Sequence, residues 1–365
     1  MRGRFTVAEE FAAATIGAIA LAVLLTALIV LYARILPAAS WVRVIAESFA
    51  CAAPGVLAWL VLSPIMSSGV RGVMMPSLAL LGGISCYLVT LVARSAGASF
   101  VRSLIFGSIW AVAVFIPTAV RTFEPFDATA PLGLSPIDHG GALVMSVAVG
   151  SGMFAVLVVE RKSLIRGARM FVPVPAGIVA LAVVVVSWIG WLVGAEFAID
   201  DVAGLIVVNG AVSAIAGAVG WSAVQLITHG AISLRSLAGG LVSGLIAVTA
   251  GAPLFTPVSA AVAGLIAGAV ACVFTVRRGS PLGNQLRFLV NTHLLGGSIG
   301  VVSLGVLATG SGFLFTGQTA IFEEQLLSVV ATASWSFVIS SGCWWVLSKI
   351  GRRVRVDSGR VLVEK

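Results

Sequence analysis

Long apolar stretches alternate with short polar segments along almost the whole chain. A helix needs about 20 apolar residues to cross the hydrocarbon core of a bilayer, and most of these stretches reach that length. The pattern predicts about eleven membrane-spanning helices, at 9–33, 44–66, 73–93, 101–120, 138–159, 171–194, 202–228, 233–250, 254–276, 286–308 and 325–348. We therefore expect an all-α integral membrane protein, with one polytopic domain over 1–348 and a short basic tail over 349–365.

Composition narrows the class of protein further. Of the 365 residues, 59% are hydrophobic and only 10% are charged, and the mean hydropathy is +1.11. Soluble domains carry about 25% charged residues. These values exclude a water-soluble globule, and the net charge of +8 does not indicate a nucleic-acid partner. The 41 glycines indicate many close helix–helix contacts, because small residues let helices approach each other in lipid.

Basic residues divide unevenly between two alternating sets of loops. Of the 22 Lys and Arg, only Arg2, Arg4, Arg71 and Arg121 belong to one set. Because cytoplasmic loops carry the excess of Lys and Arg, the bias predicts a protein of the cell membrane with its N-terminus outside and its C-terminus in the cytoplasm.

The outer loops are instead acidic. Their acids either draw cations towards a pore mouth or simply reflect the missing basic bias. They are Glu124, Asp127, Asp138, Glu196, Asp200, Asp201, Glu323 and Glu324.

Two polar residues stand out at membrane depth. His293 lies one to two turns into the tenth span, where an ionisable group is a functional candidate by default. A neutral imidazole offers one donor and one acceptor, which suits a narrow pore, but a core histidine bonded to a carbonyl of a neighbouring helix is the alternative. Asn209 is predicted to bond across helices. No phosphate-binding loop, nucleophile motif or metal-ligand cluster occurs in the sequence, so we expect no enzyme, cofactor or metal.

Short motifs from about residue 100 onward have a distinctive order and spacing. They are Phe100, Trp110 and Pro117; Asp138-His-Gly-Gly-Ala-Leu-Val-Met145; Gly190-Trp191 with Asn209 and Trp221; Gly240-Leu-Val-Ser-Gly-Leu-Ile-Ala-Val-Thr249; His293-Leu-Leu-Gly-Gly297; and Trp335-Ser336. Together they resemble the ammonium transporter family, which includes methylammonium permeases and Rhesus proteins. The resemblance implies two inverted five-helix repeats, a peripheral eleventh helix and a homotrimer with one pore per subunit.

The resemblance also locates departures in the pore. The family has two facing pore histidines, and His293 matches the second. Counting from Gly140-Gly141 puts Met145 at the first, whereas counting from Asp138 puts Ser146 there. Two stacked phenylalanines gate the family's outer mouth, and glycines match them here. These gate positions without aromatics are Gly82 and Gly194.

The outer cation-recruitment site is also altered. Phe123 stands where the family has Trp and Ala198 where it has Ser, while Trp191 is retained and Asp138 matches the family acid with a one-residue slip. The C-terminal tail lacks the family's acidic motif, which argues against a PII-type regulator.

We therefore expect a divergent ammonium or ammonia transporter or channel that lacks the first pore histidine and the phenylalanine gate. The alternative is a family fold with a changed role, either a pore for another small solute or a non-transporting ammonium sensor or membrane partner.

Overall fold

The computed structural model describes residues 7–36, 40–66, 72–123, 134–160, 171–275 and 281–361. Eleven long helices account for most of these ranges, joined by a 3-10 turn at Gly72–Met74 and a one-turn helix at Phe313–Thr316. They are α1 Val7–Tyr32, α2 Trp41–Met66, α3 Met75–Ser95, α4 Phe100–Phe123, α5 Leu143–Val159, α6 Val174–Gly194, α7 Asp201–His229, α8 Leu234–Thr249, α9 Pro257–Thr275, α10 Pro281–Leu307 and α11 Ala320–Val361. Each predicted span corresponds to one of them, so the all-α fold class is confirmed.

Nine of these helices are long and apolar enough to cross a membrane, and α5 and α8 are shorter apolar helices. The boundary between α7 and α8 falls at Gly230, whose φ of 69° ends α7 in the left-handed conformation that favours glycine. Two helices contain π-helical segments, Ala111–Phe115 in α4 and Leu143–Ala148 in α5. Such segments hold one residue more per turn and occur frequently at functional sites.

The packing repeats after five helices. In the first half α2 packs on α3, and in the second half α7 packs on α8 in the same way. The two halves meet through equivalent helices, because α1 packs on α6 and α5 packs on α10. An odd number of crossings per half places the second half in the opposite orientation to the first. The helices therefore form two inverted five-helix repeats with α11 added.

Helix α11 is bonded mainly to the first repeat. The Trp335 indole donates to the Ala113 carbonyl at 2.8 Å, and the Ser336 hydroxyl donates to the Ala148 carbonyl at 2.6 Å. Both carbonyls belong to the π-helical segments of α4 and α5. Because lipid offers no hydrogen bonds, backbone groups at this depth must be satisfied within the protein. Adjacent side chains of α11 thus support the irregular parts of two neighbouring helices.

A second bond between separate elements involves the Asn209 side chain. The Asn209 amide of α7 donates to the carbonyls of Ala252 and Phe255, at 2.8 and 2.7 Å, in the turn between α8 and α9. The expected role of Asn209 as a structural bridge is confirmed.

The two ends of the helix bundle differ in charge within the described ranges. Asp138, Glu196, Asp200, Asp201, Glu323 and Glu324 lie at one end, and Arg34, Arg94, Arg102, Arg235, Arg287 and Lys349 at the other. Which end faces the cytoplasm stays a prediction. Other members of the predicted sets lie outside the described residues, namely Glu124, Asp127, Arg2, Arg4, Arg71, Arg161, Lys162, Arg166, Arg169, Arg277 and Arg278.

Candidate functional site

The candidate pore residues lie where α5 crosses α10. A Cβ atom at Gly150 of α5 would collide with the backbone of Leu294, 2.7 Å from its Cα. A Cβ at Gly297 of α10 would lie 2.8 Å from the Ser146 Cβ and 3.3 Å from the Val147 nitrogen. Glycine is therefore required for the backbones to approach so closely, and the two contacts mirror each other across the crossing.

His293 is buried beside this crossing. Its Nδ1 lies 3.0 Å from the Leu289 carbonyl and 3.3 Å from the Thr292 hydroxyl, both on its own helix. A carbonyl only accepts, so Nδ1 carries the proton and Nε2 presents a lone pair. The expected core alternative placed the accepting carbonyl on a neighbouring helix, whereas the structure places it one turn earlier on α10. One ring nitrogen thus fixes the imidazole, and the other is an acceptor.

Both candidates for the first pore position are buried in the π-helical segment of α5. Met145 and Ser146 are fully inaccessible to solvent. Among the described residues the Ser146 hydroxyl has no hydrogen-bond partner. A buried polar group without a partner is uncommon and calls for an explanation, such as a site for a small polar molecule.

The two predicted gate positions lie at close helix contacts. A Cβ at Gly82 would lie 2.6 Å from the ring of Phe115, which is buried and packs edge-to-face on Trp59. A Cβ at Gly194 would collide with the backbone of Gly17 where α6 crosses α1. An aromatic side chain at either position would require its neighbours to move.

The segment Asp138–Gly141, which leads into α5, brings the predicted outer residues together. Asp138 is buried, and its two carboxylate oxygens accept from the amides of Ala142 and Leu143, each at 2.7 Å. This carboxylate therefore caps α5, a position that the helix dipole also favours for an anion.

The aromatic residues of the predicted outer site cover the same segment. The Phe123 ring and the Leu81 side chain lie over Gly141, and the Trp191 indole donates to the Gly140 carbonyl at 3.1 Å. Trp191 and Ala198 are buried, each only 1% exposed, and Phe123 is half-buried. The Trp191 ring is thus enclosed rather than open to solution.

His139 is a polar residue of this region that the sequence did not single out as a site. Its Nε2 lies 2.8 Å from the Leu192 carbonyl, and its Nδ1 lies 3.7 Å from a carboxylate oxygen of Glu196. Burial lowers the pKa of His139 to about 4, although its bond to the Leu192 carbonyl opposes the shift. The imidazole is therefore neutral at pH 7. An ionisable side chain within the Asp138 motif was the available signal.

Comparison with known proteins identifies the fold's relatives. The model of the Ammonium Transporter Family matches residues 66–360. The chain belongs to this family. The match runs from the end of α2 into α11 and includes every candidate pore and outer-site residue.

Relatives within the ammonium transporter family are distant in sequence. An ammonium transporter of Bacillus subtilis (strain 168) is 26% identical over 247 residues, covering 65% of this chain and 60% of that protein. An ammonium transporter of Mycobacterium bovis is 26% identical over 258 residues, covering 65% and 54%. The chain thus spans between about half and three fifths of these relatives in sequence.

Solved structures extend the likeness to nearly the whole fold. Mep2 of Saccharomyces cerevisiae superposes with a TM-score of 0.77 at 15% identity, covering 93% of this chain and 87% of that one. A structure described as a sensor Amt protein gives a TM-score of 0.79 at 18% identity and covers 94% of both chains. Helix α1 and most of α2 lie outside the family match, and yet they belong to the shared fold.

Proposed function

We propose that this member of the ammonium transporter family conducts ammonium or ammonia across the cell membrane, through one path per subunit beside the crossing of α5 and α10. Family membership supports the chemical class of solute. The observation that carries the proposal is the pair of buried polar side chains contributed by the two repeats, Ser146 from α5 and His293 from α10.

The contacts at the crossing favour Ser146 over Met145 as the counterpart of His293. The two contacts at the crossing are Gly150 with Leu294 and Gly297 with Val147. They correspond to each other if Gly150 of the first repeat is equivalent to Gly297 of the second, and Val147 to Leu294. Both equivalences shift the residue number by the same amount. The same shift takes His293 to Ser146.

A hydroxyl in place of a second imidazole changes what the path can do. Ser146 can accept a hydrogen bond from an ammonium or ammonia N–H group and donate one in turn, which the Met145 thioether does poorly. A serine hydroxyl does not hold an added proton near neutral pH, so a proton cannot pass from ring to ring as between two histidines. We therefore expect this chain to pass the neutral solute with little accompanying current.

In this proposal, residues other than a phenylalanine pair narrow the outer mouth. Phe123 and Leu81 cover Gly141, and Phe115 occupies the space beside Gly82. We propose that these side chains, from α3 and α4, narrow the entrance in place of the missing gate aromatics. The altered recruitment site of Phe123, Trp191 and Asp138 belongs to the same entrance.

Assembly and orientation follow the family in this proposal. We expect a homotrimer in the plasma membrane, with the acidic end outside and the basic tail in the cytoplasm. The tail is basic in sequence, and we expect no PII-type regulator to bind it.

The test is transport by the purified chain in liposomes. An inward ammonium gradient is imposed while membrane current and internal pH are recorded. We expect a rise in internal pH from ammonia entry, with little current, that is faster than in protein-free liposomes, because neutral ammonia also crosses lipid unaided. A rise in internal pH no faster than in protein-free liposomes, together with no current, would contradict the proposal.

The second candidate is a changed function within the same fold. The protein would then be a pore for another small solute or a non-transporting sensor. The loss of a second imidazole at Ser146 favours it, and the shared fold with the sensor Amt protein is compatible with it. Ammonium binding without flux would identify the sensor. Flux of another small solute in its place would identify the altered pore.

A further inference from the structure

Two buried polar side chains meet where α4, α5 and α11 pack together. A Cβ atom at Gly152 of α5 would lie 2.9 Å from Nε1 of Trp110 and 3.1 Å from Oγ of Ser340. Trp110 belongs to α4 and Ser340 to α11, and their exposed fractions are 1% and 0%. The two polar atoms are therefore no further apart than the sum of these distances, and Gly152 places no side chain against either of them.

Neither the indole nor the hydroxyl has a hydrogen-bond partner among the described residues. Their neighbours on the same face of α11 do. Ser336 lies four residues before Ser340 and donates to the Ala148 carbonyl at 2.6 Å. Trp344 lies four residues after it and donates to a carboxylate oxygen of Glu160 at 3.3 Å. Because lipid supplies no hydrogen bonds, two neighbouring groups without partners indicate a molecule shared between them.

The chemistry of the two groups defines what can join them. An indole N–H only donates, so the molecule must accept from Trp110, which excludes ammonium and metal cations because they have no free lone pair. A buried anion would need a charged partner. No charged residue occurs in the membrane-depth stretches of α3, α4, α5 and α11, which are 75–93, 103–120, 143–159 and 325–348. The molecule is therefore neutral.

We propose that Trp110 Nε1 and Ser340 Oγ together bind one small neutral molecule that has both a lone pair and hydrogen-bond donors. Water and ammonia share this chemistry. The bound atom lies about 2.9 Å from each group, accepts from the indole and bonds the hydroxyl oxygen. A rotated Ser340 hydroxyl that bonded its own helix would still leave the indole without an acceptor. The site does not depend on the proposed function, and only ammonia as its occupant does.

The bound molecule fastens α11 to the irregular parts of two helices. Trp110 directly precedes the π-helical segment Ala111–Phe115 of α4, and Gly152 lies one turn after Ala148, where the π-helical segment of α5 ends. Buried waters typically make about three hydrogen bonds and are costly to remove. Ser340 thus supports the same irregular segments as the direct bonds of α11.

NMR of the full chain with ¹⁵N-labelled tryptophan tests the site directly. The chain has nine tryptophans, and the Trp110 indole signal is the one lost in Trp110→Phe. In ammonium-free buffer we expect magnetisation transfer from water to the Trp110 indole proton. We expect none to the indole proton of Trp335, which is bonded directly to the Ala113 carbonyl.

Ammonium chloride added at alkaline pH then distinguishes the two molecules. A Trp110 resonance that moves with the ammonia concentration identifies ammonia as the occupant. A resonance that stays in place, with the transfer from water intact, identifies water.

Ser340→Ala gives an independent test through the sign of its effect on stability. A hydroxyl without any partner is removed at no loss, whereas a hydroxyl that holds a bound molecule is not. We expect the melting temperature in detergent to fall by about 2–4 °C and the Trp110 indole resonance to move. Ser108→Ala is the matched control, since its hydroxyl bonds only within α4, and it should do neither.

Two results would overturn the site. One is a Trp110 indole that receives no transfer from water and does not respond to ammonia. The other is a melting temperature of Ser340→Ala at or above that of Ser108→Ala. If Trp110→Phe does not fold, the Trp110 signal is identified by its movement in Ser340→Ala. None of these measurements depends on flux, so a failure of transport and a failure of the site are told apart.

Discussion

The fifth helices of the two repeats, α5 and α10, make equivalent backbone contacts but carry different polar side chains. At the crossing, Gly150 of α5 lies against the Leu294 backbone, and Gly297 of α10 lies against the Val147 backbone. The polar groups beside these glycines differ, because α5 offers a hydroxyl from a π-helical segment and α10 an imidazole from a regular α-helix. The backbone contacts at the crossing are thus symmetric between the repeats, whereas the polar side chains beside it are not.

Removing the His293 imidazole should have the largest effect on transport. In His293→Ala the path keeps only the Ser146 hydroxyl. We expect the rate of ammonium-driven alkalinisation in excess of protein-free liposomes to fall by about tenfold or more, in line with the loss of a strong hydrogen bond. His229→Ala is the matched control, because His229 is exposed at the end of α7. Equal rates in the two folded variants would remove His293 from the path.

Adding one methyl group on each side of the crossing tests the shared backbone plan. Gly150→Ala and Gly297→Ala should each lower the free energy of unfolding by about 1–3 kcal/mol through overpacking. Gly150→Ala should cost more, since it meets backbone atoms rather than the Ser146 side chain. Thermal unfolding in detergent measures the loss.

Gly204→Ala in α7 is the control for both variants, because no atom lies within 4 Å of its added Cβ. It should leave stability unchanged or slightly raised, as alanine favours a helix over glycine. A melting temperature unchanged from the parent in Gly150→Ala would refute the close crossing.

A smaller effect is expected where α11 supports the π-helical segment of α5. Ser336→Ala removes the bond to the Ala148 carbonyl and should lower the free energy of unfolding by about 0.5–1 kcal/mol. Ser108→Ala is the control, since the Ser108 hydroxyl bonds only within α4, to the Leu104 carbonyl. Equal melting temperatures for the two variants would show that α11 does not stabilise the irregular segment.

The spans of the fold were predictable because a bilayer imposes its thickness on the sequence. Eleven apolar stretches had to be helices of about that length, and Asn209 in such a stretch had to find backbone partners. Close glycine contacts were predictable in kind, from composition. The positions of these contacts were not predictable. Composition alone does not indicate that Gly194 packs against Gly17 of α1 instead of lining an open outer mouth.

The site was less predictable, for two physical reasons. Counting from Gly140-Gly141 and counting from Asp138 lead to different residues, Met145 and Ser146, and the π-helical course of residues 143–148, which no motif indicated, makes helical spacing a poor guide to the choice. The pair of His139 and Glu196 joins positions far apart in sequence, and only the fold brings the end of α6 beside the start of α5. His293 was singled out because an ionisable group in a span is rare, and its role in a pore stays a prediction.

The most direct measurement compares two single substitutions at neighbouring positions of α5. Ser146→His and Met145→His each add one imidazole, and the ratio of current to ammonia flux is recorded for both in liposomes. We predict that Ser146→His raises this ratio several-fold above the parent chain, because a second ring facing His293 restores proton passage, while Met145→His leaves it near the parent value. A rise in Met145→His alone, or in neither variant, would contradict the pairing of Ser146 with His293.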